Sequence, residues 1–225
     1  MSQFGVRSLI AEKEIKYLMH FTRVENLKSI LNHGLLPRCD LDQESVQYVA
    51  TDPSRFDRHK DAINLSVSFP NSSMFFTKRR NMGGDWVVLM IRPEVMVSEP
   101  CYFYPSNAAS RCFSPCEDRS RAEDFKKMFS KKVLNNQGEI VKRKYLGLPN
   151  CFPTNLQAEV LVFSKVKVSM LMAVNFFDQK SFSNFLMRTN VTELPSSVSF
   201  NIEHTLFMNR SDWRTWLPQR NLVNY

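Results

Sequence analysis

Short apolar runs and alternating apolar and polar positions occur at several places along the chain, and they predict β-strands. Residues 63–69 alternate, which is typical of a strand with one buried face. Trp86–Ile91 is apolar throughout and lies between Gly84 and Pro93, which favours a strand buried on both faces. Further β-prone segments are residues 17–21, 158–163, 170–176 and 198–207.

Helical spacing of apolar residues predicts a first helix directly after the strand at residues 17–21. Thr22 and Glu25 fit the capping box, in which a hydroxyl and a carboxylate each bind a backbone N–H at the start of a helix. Gly34 stands where a left-handed residue commonly ends a helix. The predicted buried face consists of Val24, Leu27, Ile30 and Leu31.

Two more helices are predicted in the second half of the chain. Ser120 and Glu123 repeat the capping-box pattern ahead of one of them, and Asp178 is placed to cap the other. Their apolar faces consist of Phe125, Met128 and Phe129 in the first case, and Phe182, Phe185 and Leu186 in the second.

The order of these elements predicts an α+β fold in a single domain of residues 1–225. Between Trp86–Ile91 and residues 158–163 only one helix is clear, so residues around 101–157 are predicted to form a long insertion. Long irregular segments inside a domain are usually functional or mobile. The sequence contains no internal repeat.

The charge of the chain favours an anionic partner, with nucleic acid before acidic lipid. Thirty Lys and Arg residues stand against 22 Asp and Glu residues, which gives a formal net charge of +8. Basic and aromatic residues intermix in the insertion, as in proteins that bind single-stranded nucleic acid. Phe125 and Phe129 are expected to be core residues instead, whereas residues 102–104 and Arg143–Tyr145 remain candidates.

Several function classes find no support in the sequence. Six glycines form neither of the two glycine-rich phosphate-binding motifs. Five cysteines and four histidines show no metal-ligand spacing, so no metal is expected, and the odd cysteine count favours reduced thiols in the cytoplasm. No apolar run is long enough to span a membrane, and residues 1–7 lack the apolar core of a signal peptide, so no membrane association is expected.

Three places carry candidate chemistry, each with a plainer alternative. Glu159 lies within an otherwise apolar strand, where a carboxylate is costly unless it is paired or faces a cleft; the alternative is the exposed face of an edge strand. His20 and Thr22 end the first strand, where they would face a crevice or merely pack and cap. Arg55 and Arg58 suit phosphate, or belong to a solvated loop.

Taken together, these segments resemble the DarT family of bacterial DNA ADP-ribosyltransferase toxins. The resemblance rests on residues 18–36, on the segment 55–57, on residues 65–75 with the turn at 69–71, and on residues 157–162. It extends over residues 17–165. The first and last blocks are specific in combination, although neither would suffice alone.

The resemblance implies an ADP-ribosyltransferase fold, which is a split mixed β-sheet with NAD bound in a central cleft. NAD would serve as the ADP-ribose donor. Two catalytic residues are implied, Glu159 as the glutamate and Arg55, in preference to Arg58, as the essential arginine. The residues implied to bind NAD are His20, Phe21, Thr22, Ser29, Pro37 and Arg55.

The resemblance also implies a toxin that modifies a base in single-stranded DNA. The turn at 69–75 and the long insertion are more similar to the branch that modifies guanine than to the branch that modifies thymidine. The implied partner is a neighbouring antitoxin that reverses the modification, either a macrodomain or a NADAR-type hydrolase, and the toxin is expected to be a monomer. A non-enzymatic module that binds single-stranded nucleic acid remains the alternative function.

Overall fold

A seven-stranded β-sheet forms the centre of the molecule. The computed structural model describes residues 2–51, 59–110, 113, 117–135 and 138–216. Within these residues the strands are β1 Leu18–Arg23, β2 Ile63–Val67, β3 Trp86–Ile91, β4 Cys101–Tyr104, β5 Lys132–Leu134, β6 Ile140–Lys142, β7 Glu159–Val162, β8 Leu171–Phe176 and β9 Ser199–Ile202. The sheet has the order β4-β7-β2-β1-β3-β8-β9, and β5 and β6 form a separate two-stranded sheet.

The sheet is mixed, because β8 and β9 run parallel while every other neighbouring pair is antiparallel. The helices that accompany it are α1 Ser2–Glu12, α2 Leu27–His33, α3 Arg38–Gln43, α4 Ser72–Met82, α5 Val95–Ser98, α6 Ala122–Lys127 and α7 Gln179–Met187. This architecture confirms the predicted α+β class with a mixed sheet and flanking helices.

Each face of the sheet has its own core because successive side chains of a strand point to opposite faces. On β3, Val87 and Leu89 belong to the larger core together with buried residues of α1, α2, α6 and α7. Trp86 and Val88 belong to a smaller core on the other face, which α4 covers through Phe75. Helices therefore cover both faces of the sheet, with α4 on one face and α1, α2, α6 and α7 on the other.

Strands β1 and β2 pair over two positions only. Leu18 faces Val67 and Met19 faces Ser66, whereas all six residues of β1 pair with β3. After Met19, the backbone N–H and C=O groups of β1 that point toward β2 are not part of a ladder with β2. The sheet is thus split along the part of β1 that follows Met19, as the predicted fold requires.

The strand predictions are confirmed with small changes at their ends. The predicted strand at 63–69 ends at Val67, because Ser68 adopts a left-handed conformation with φ of 62°. The predicted segment 198–207 divides into β9 and a 3₁₀ helix, His204–Phe207. The segment predicted as an insertion begins with β4, which pairs with β7 at the edge of the main sheet.

Two of the three predicted caps are wrong. Thr22 lies inside β1, and the 3₁₀ turn Val24–Asn26 precedes α2 without a side-chain cap. Arg121, not Ser120, precedes α6, again without a side-chain cap. The cap of α7 is confirmed, since Asp178 accepts a hydrogen bond of 2.8 Å from the backbone N–H of Ser181. That bond holds the pKa of Asp178 below its usual value.

Four helices were not predicted, namely α1, α3, α4 and α5, and α4 matters most because it borders the split. Its sequence contains the polar run Thr77, Lys78, Arg79 and Arg80, and Phe75 is its one large buried apolar residue. Helix α4 therefore lacks the regularly spaced apolar residues from which a helix can be predicted, and it forms because it packs against the sheet. Within the described residues, no helix has the length and apolar character needed to cross a membrane.

Gly34 is predicted to be essential for stability because it combines a left-handed backbone with close packing. Its φ is +84°, and a Cβ at this position would overlap the carbonyl oxygen of Val166. Gly34→Ala should lower the free energy of unfolding by about 3 kcal/mol. Gly83 also ends a helix with positive φ but has open space around it, so Gly83→Ala should cost only about 1 kcal/mol. Denaturant unfolding measures both, and equal losses would contradict the packing argument.

Candidate active site

A cleft opens where β1 and β2 separate. Its volume is about 1210 Å³, including the space open to solvent at its mouth. Residues of β1, α2, the segment 48–51, β2, α4 and β7 line it. The sequence-predicted residues among them are His20, Phe21, Thr22, Ser29 and Glu159. One cleft therefore brings together most of the residues that the sequence singled out.

Glu159 is the first residue of β7 and is only 5% exposed. Its neighbour Val160 packs into the larger core, so the alternation of the strand turns Glu159 toward the opposite face and the cleft. The carboxylate Oε2 accepts a hydrogen bond of 3.0 Å from the backbone N–H of Ala108. Strand β7 lies between β4 and β2, so the alternative of an exposed position on an edge strand is wrong.

His20 spans the split between the two strands. Its Nδ1 lies 3.0 Å from the carbonyl oxygen of Asn64 on β2. A carbonyl oxygen only accepts, so Nδ1 carries a proton in this hydrogen bond. The next residue, Phe21, stacks on Phe75 of α4 with ring centroids 4.5 Å apart. The end of β1 is thus held to β2 through His20 and to α4 through Phe21.

Asn26 is a positioning residue that sequence reasoning missed. Its side-chain amide donates to the hydroxyl oxygen of Thr22 at 2.9 Å and to the carbonyl oxygen of Val49 at 3.0 Å. Its Oδ1 accepts a hydrogen bond of 2.7 Å from the backbone N–H of Val49. Asn26 therefore ties the end of β1 to the segment that closes one side of the cleft. The available signal was its spacing of four residues from Thr22.

The remaining predicted residues fall in different places. Ser29 projects from α2 and lines the cleft. Pro37 is buried at the start of α3, and its neighbours Leu36 and Arg38 line the cleft. Arg55 and Arg58 lie outside the described residues, so the choice between them remains a prediction.

The lining of the cleft suits an anionic ligand. Arg38 and Lys78 contribute positive charge from α3 and α4. Tyr48 donates a hydrogen bond of 2.9 Å to Asp42, and burial together with that bond raises the pKa of its hydroxyl. The phenol therefore stays neutral at physiological pH. Against these groups, Glu159 supplies a carboxylate.

The thiols near this region are not activated. Burial raises the pKa of Cys39, and it raises the pKa of Cys101 to about 12. Both are therefore protonated at neutral pH, and a thiol is a weak nucleophile compared with a thiolate. Among the described residues, no group of three or more His, Cys, Asp and Glu side chains could hold a metal ion.

Two arginines support the segment that leads to Glu159. Arg143 donates to the carbonyl oxygens of Pro149 and Phe152 at 2.8 and 2.7 Å. The buried Arg210 donates to the carbonyl oxygens of residues 153 and 154 at 3.0 and 3.1 Å, and its Nε lies 2.6 Å from Oδ1 of Asp212. Trp216 donates to the same carboxylate at 2.8 Å. Residues 149–154 are thus held from both sides.

Comparison with known proteins gives one family and one fold. A family model described as "ssDNA thymidine ADP-ribosyltransferase, DarT" matches residues 19–200. No protein with curated annotation matches the chain.

Solved structures of DarT proteins share the fold at low sequence identity. Thermus sp. 2.9 DarT in complex with ADP-ribosylated ssDNA is 15% identical over 87% of this chain and 97% of its own, with a TM-score of 0.60. The same protein in complex with NAD+ is 14% identical over 87% of this chain and 98% of its own, with a TM-score of 0.53. Thermosipho africanus DarTG in complex with ADP-ribose is 17% identical over 85% of this chain, with a TM-score of 0.57. This chain spans about half, 51%, of that DarTG chain.

Replacing Asn26 by Ala is expected to loosen the segment 48–51 selectively. Val49 loses both hydrogen bonds to the side-chain amide, so its backbone N–H should exchange with solvent about tenfold faster. Hydrogen exchange followed by NMR measures this. Asn190→Ala removes an asparagine that caps a distant turn and serves as the control. Unchanged exchange at Val49 in Asn26→Ala would contradict the assigned role.

Proposed function

The chain belongs to the DarT family of NAD-dependent single-stranded-DNA ADP-ribosyltransferases, and on this premise we propose that its cleft transfers ADP-ribose from NAD to guanine. The observation that carries the proposal is the position of Glu159, whose carboxylate faces the same cleft as His20, Phe21 and Thr22. A buried carboxylate in an apolar strand is expected where its charge is used.

The groups that line the cleft fit NAD. Arg38 and Lys78 supply the positive charge that a pyrophosphate requires. His20, Thr22 and Ser29 supply hydrogen-bonding groups for the ribose and the nicotinamide, and Phe21 offers an aromatic edge. Pro37 would contribute indirectly, by fixing Leu36 and Arg38 at the start of α3. The family resemblance and this set of polar groups support NAD as the donor substrate.

Glu159 would act on the ribose and on the attacking base. NAD supplies the ADP-ribosyl group: the bond from its ribose carbon to nicotinamide breaks, the electron pair leaves with nicotinamide, and a bond to a base nitrogen forms. The carboxylate of Glu159 stabilises the positive charge that develops on the ribose, as in glycoside cleavage. It also accepts the proton that the attacking nitrogen loses.

Arg55 remains the proposed essential arginine, although it lies outside the described residues. A guanidinium stays charged at neutral pH and binds phosphate oxygens through two hydrogen bonds at once. It is a poor proton acceptor, so we assign it to holding phosphate or orienting the base. The target base must be unstacked to enter the cleft, which favours single strands over duplex DNA.

Guanine is proposed as the base because of two segments. The turn at 69–75 and the long stretch between β3 and β7 are more similar to the guanine-modifying branch of the family. Thymidine is the second candidate, since the matching family model is described as thymidine-specific. Mass spectrometry of a modified oligonucleotide would identify both the base and the atom modified.

We further propose that the protein acts as a cytoplasmic, monomeric toxin with a neighbouring antitoxin. The structural similarity to Thermosipho africanus DarTG supports a paired system. Removal of ADP-ribose from DNA requires a hydrolase, and the family resemblance implies either a macrodomain or a NADAR-type enzyme. Residues 1–225 would form one transferase domain whose part around 101–157 faces the DNA.

The hairpin of β5 and β6 with the turn Arg143–Tyr145, here called the basic hairpin, is the proposed contact for the DNA strand. Tyr145 is 71% exposed, and the ammonium groups of Lys142 and Lys144 lie 5.9 and 4.7 Å from its ring centroid. An exposed ring between two cations offers a base a stacking surface and offers the backbone positive charge. Lys132 faces Lys142 across the hairpin and adds to that charge.

Three other aromatic residues of this part of the chain are not available for stacking. Phe103, Tyr104 and Phe125 are buried in the cores beneath. Arg143 is occupied by the backbone carbonyls of residues 149–152 and thereby holds the basic hairpin against the segment that leads to Glu159. Lys142, Lys144 and Tyr145 therefore remain as candidates for DNA contact, and the half-buried Tyr102 remains beside them.

Glu159→Gln is expected to lower the rate of DNA modification by a factor of about 10²–10⁴. Gln keeps the size of the side chain and an oxygen that accepts from the N–H of Ala108, so the fold should be unchanged. Labelled NAD and a single-stranded oligonucleotide measure the transfer, and circular dichroism checks the fold. Glu193→Gln removes the same charge from an exposed turn and should leave the rate unchanged.

The substrate that becomes labelled separates the candidate functions. Labelled DNA supports the proposal, and labelled protein would indicate a transferase that modifies protein. If neither is labelled while the oligonucleotide still binds with strong salt dependence, the non-enzymatic binding module is supported instead.

Tyr145→Ala is expected to weaken oligonucleotide binding by about tenfold, since loss of one stacked base costs about 1–3 kcal/mol. Replacing Lys142 and Lys144 together by Ala should reduce the slope of log K against log salt by about 1.4, because each lost phosphate contact on a single strand contributes about 0.7. Fluorescence anisotropy over a salt series measures both. Phe4→Ala and Lys180→Ala, at exposed positions on α1 and α7, are the matched controls. Equal effects in the controls would refute a specific role for the basic hairpin.

A further inference from the structure

Asn71 carries a buried donor that the described part of the protein leaves without a partner. The residue is 2% exposed and lines the cleft. No hydrogen-bond acceptor for its Nδ2 is found among the described residues. Buried donors are nearly always satisfied in folded proteins, so an exception inside a ligand cleft points to an acceptor on the ligand.

The neighbouring bonds fix the direction of this donor. The backbone N–H of Asn71 donates to Oγ of Ser66 at 3.1 Å. Its Oδ1 accepts from the backbone N–H of Met74 at 3.2 Å and caps α4, a helix of 11 residues. The cap requires an acceptor, so the oxygen of the amide faces the helix and the nitrogen faces away from it.

Asn71 belongs to the same end of the cleft as the acid. Strands β2 and β7 pair in antiparallel register, with Leu65 facing Val160. Ser66 and Glu159 occupy the next positions along these two strands, and both lie on the face opposite the larger core. Through its bond to Ser66, Asn71 is therefore placed close to the carboxylate that the proposed reaction uses.

We propose that Nδ2 of Asn71 donates a hydrogen bond to a carbonyl oxygen of the group that binds beside Glu159. This inference rests on the proposed function. The carbonyl belongs either to the carboxamide of nicotinamide or to the ring of the target base. In the second case Asn71 favours guanine and thymine, which present a carbonyl oxygen at the position where adenine and cytosine present an amino group.

Asn71→Ser and Asn71→Asp test the donor without removing the helix cap. Both residues are good N-caps, so α4 should remain folded, while neither supplies the amide donor. Transfer to DNA should fall about tenfold or more in each variant, because the carbonyl loses its partner in a buried site. Asn190→Ser, at a distant turn, serves as the control. Thermal melting verifies the fold, and Asn71→Asp, the closer match in size, decides if Asn71→Ser proves unstable.

Two kinetic arms distinguish the two carbonyl groups. A raised KM for NAD, with unchanged dependence on the oligonucleotide, assigns the bond to nicotinamide. A lower kcat/KM for the oligonucleotide at saturating NAD assigns it to the base. Folded variants that are unchanged in both arms overturn the inference.

The two proposals fail in distinguishable ways. A wild-type protein that labels no DNA contradicts the proposed function. In that event, titration of NAD and of the single-stranded oligonucleotide into the wild type and Asn71→Ser decides the role of Asn71: weaker binding of either ligand by the variant supports it, and equal binding of both overturns it.

Discussion

The short pairing between β1 and β2 is the constraint from which the site follows. Two residue pairs join these strands, and beyond them the strand that pairs with β1 is β3, on its other edge. A continuous ladder at this point would close the sheet and leave no cleft. The backbone groups set free by the split need other partners, and the side chain of His20, bonded to the carbonyl of Asn64, supplies one of them. The cleft thus lies where the backbone hydrogen bonds between β1 and β2 stop and a side chain connects the two strands instead.

The position of Glu159 shows how a charge is retained next to an apolar core. Its strand is central in one half of the sheet, and the residues that follow it are fully buried. The N–H of Ala108 satisfies one carboxylate oxygen, and that N–H is available because the chain turns back over β7 after β4. Burial limits solvent screening, so the charge acts more strongly on a ligand in the cleft than it would at the surface.

Local patterns predicted the sheet well and the helix ends poorly, for physical reasons. Trp86–Ile91 is buried on both faces, and burial on both faces leaves an unbroken apolar run in the sequence. Thr22 looks like a helix cap because its spacing to Glu25 suits one, but pairing with β3 extends β1 through that position and uses its backbone. Pairing with a distant strand, and not the local spacing to Glu25, therefore determines that Thr22 belongs to a strand.

Some residues of the candidate site could likewise be predicted from local sequence patterns, and others could not. Glu159 was recognisable because a carboxylate breaks an apolar strand. Asn26 and Asn71 gave no comparable signal, because asparagine is common in turns and its partners are distant backbone atoms or a ligand. Helix α4 was hidden for a related reason, since it contacts the sheet mainly through Phe75.

The buried pair of Arg210 and Asp212 shows that the site depends on part of the chain beyond the main sheet. Arg210 bridges to the carbonyls of Pro153 and Thr154, just ahead of the strand that carries the acid. In the sequence it follows β9, which is an edge strand of that sheet. Correct pairing of the seven strands is therefore not sufficient to hold the segment ahead of Glu159, and a chain cut after β9 would lack this brace.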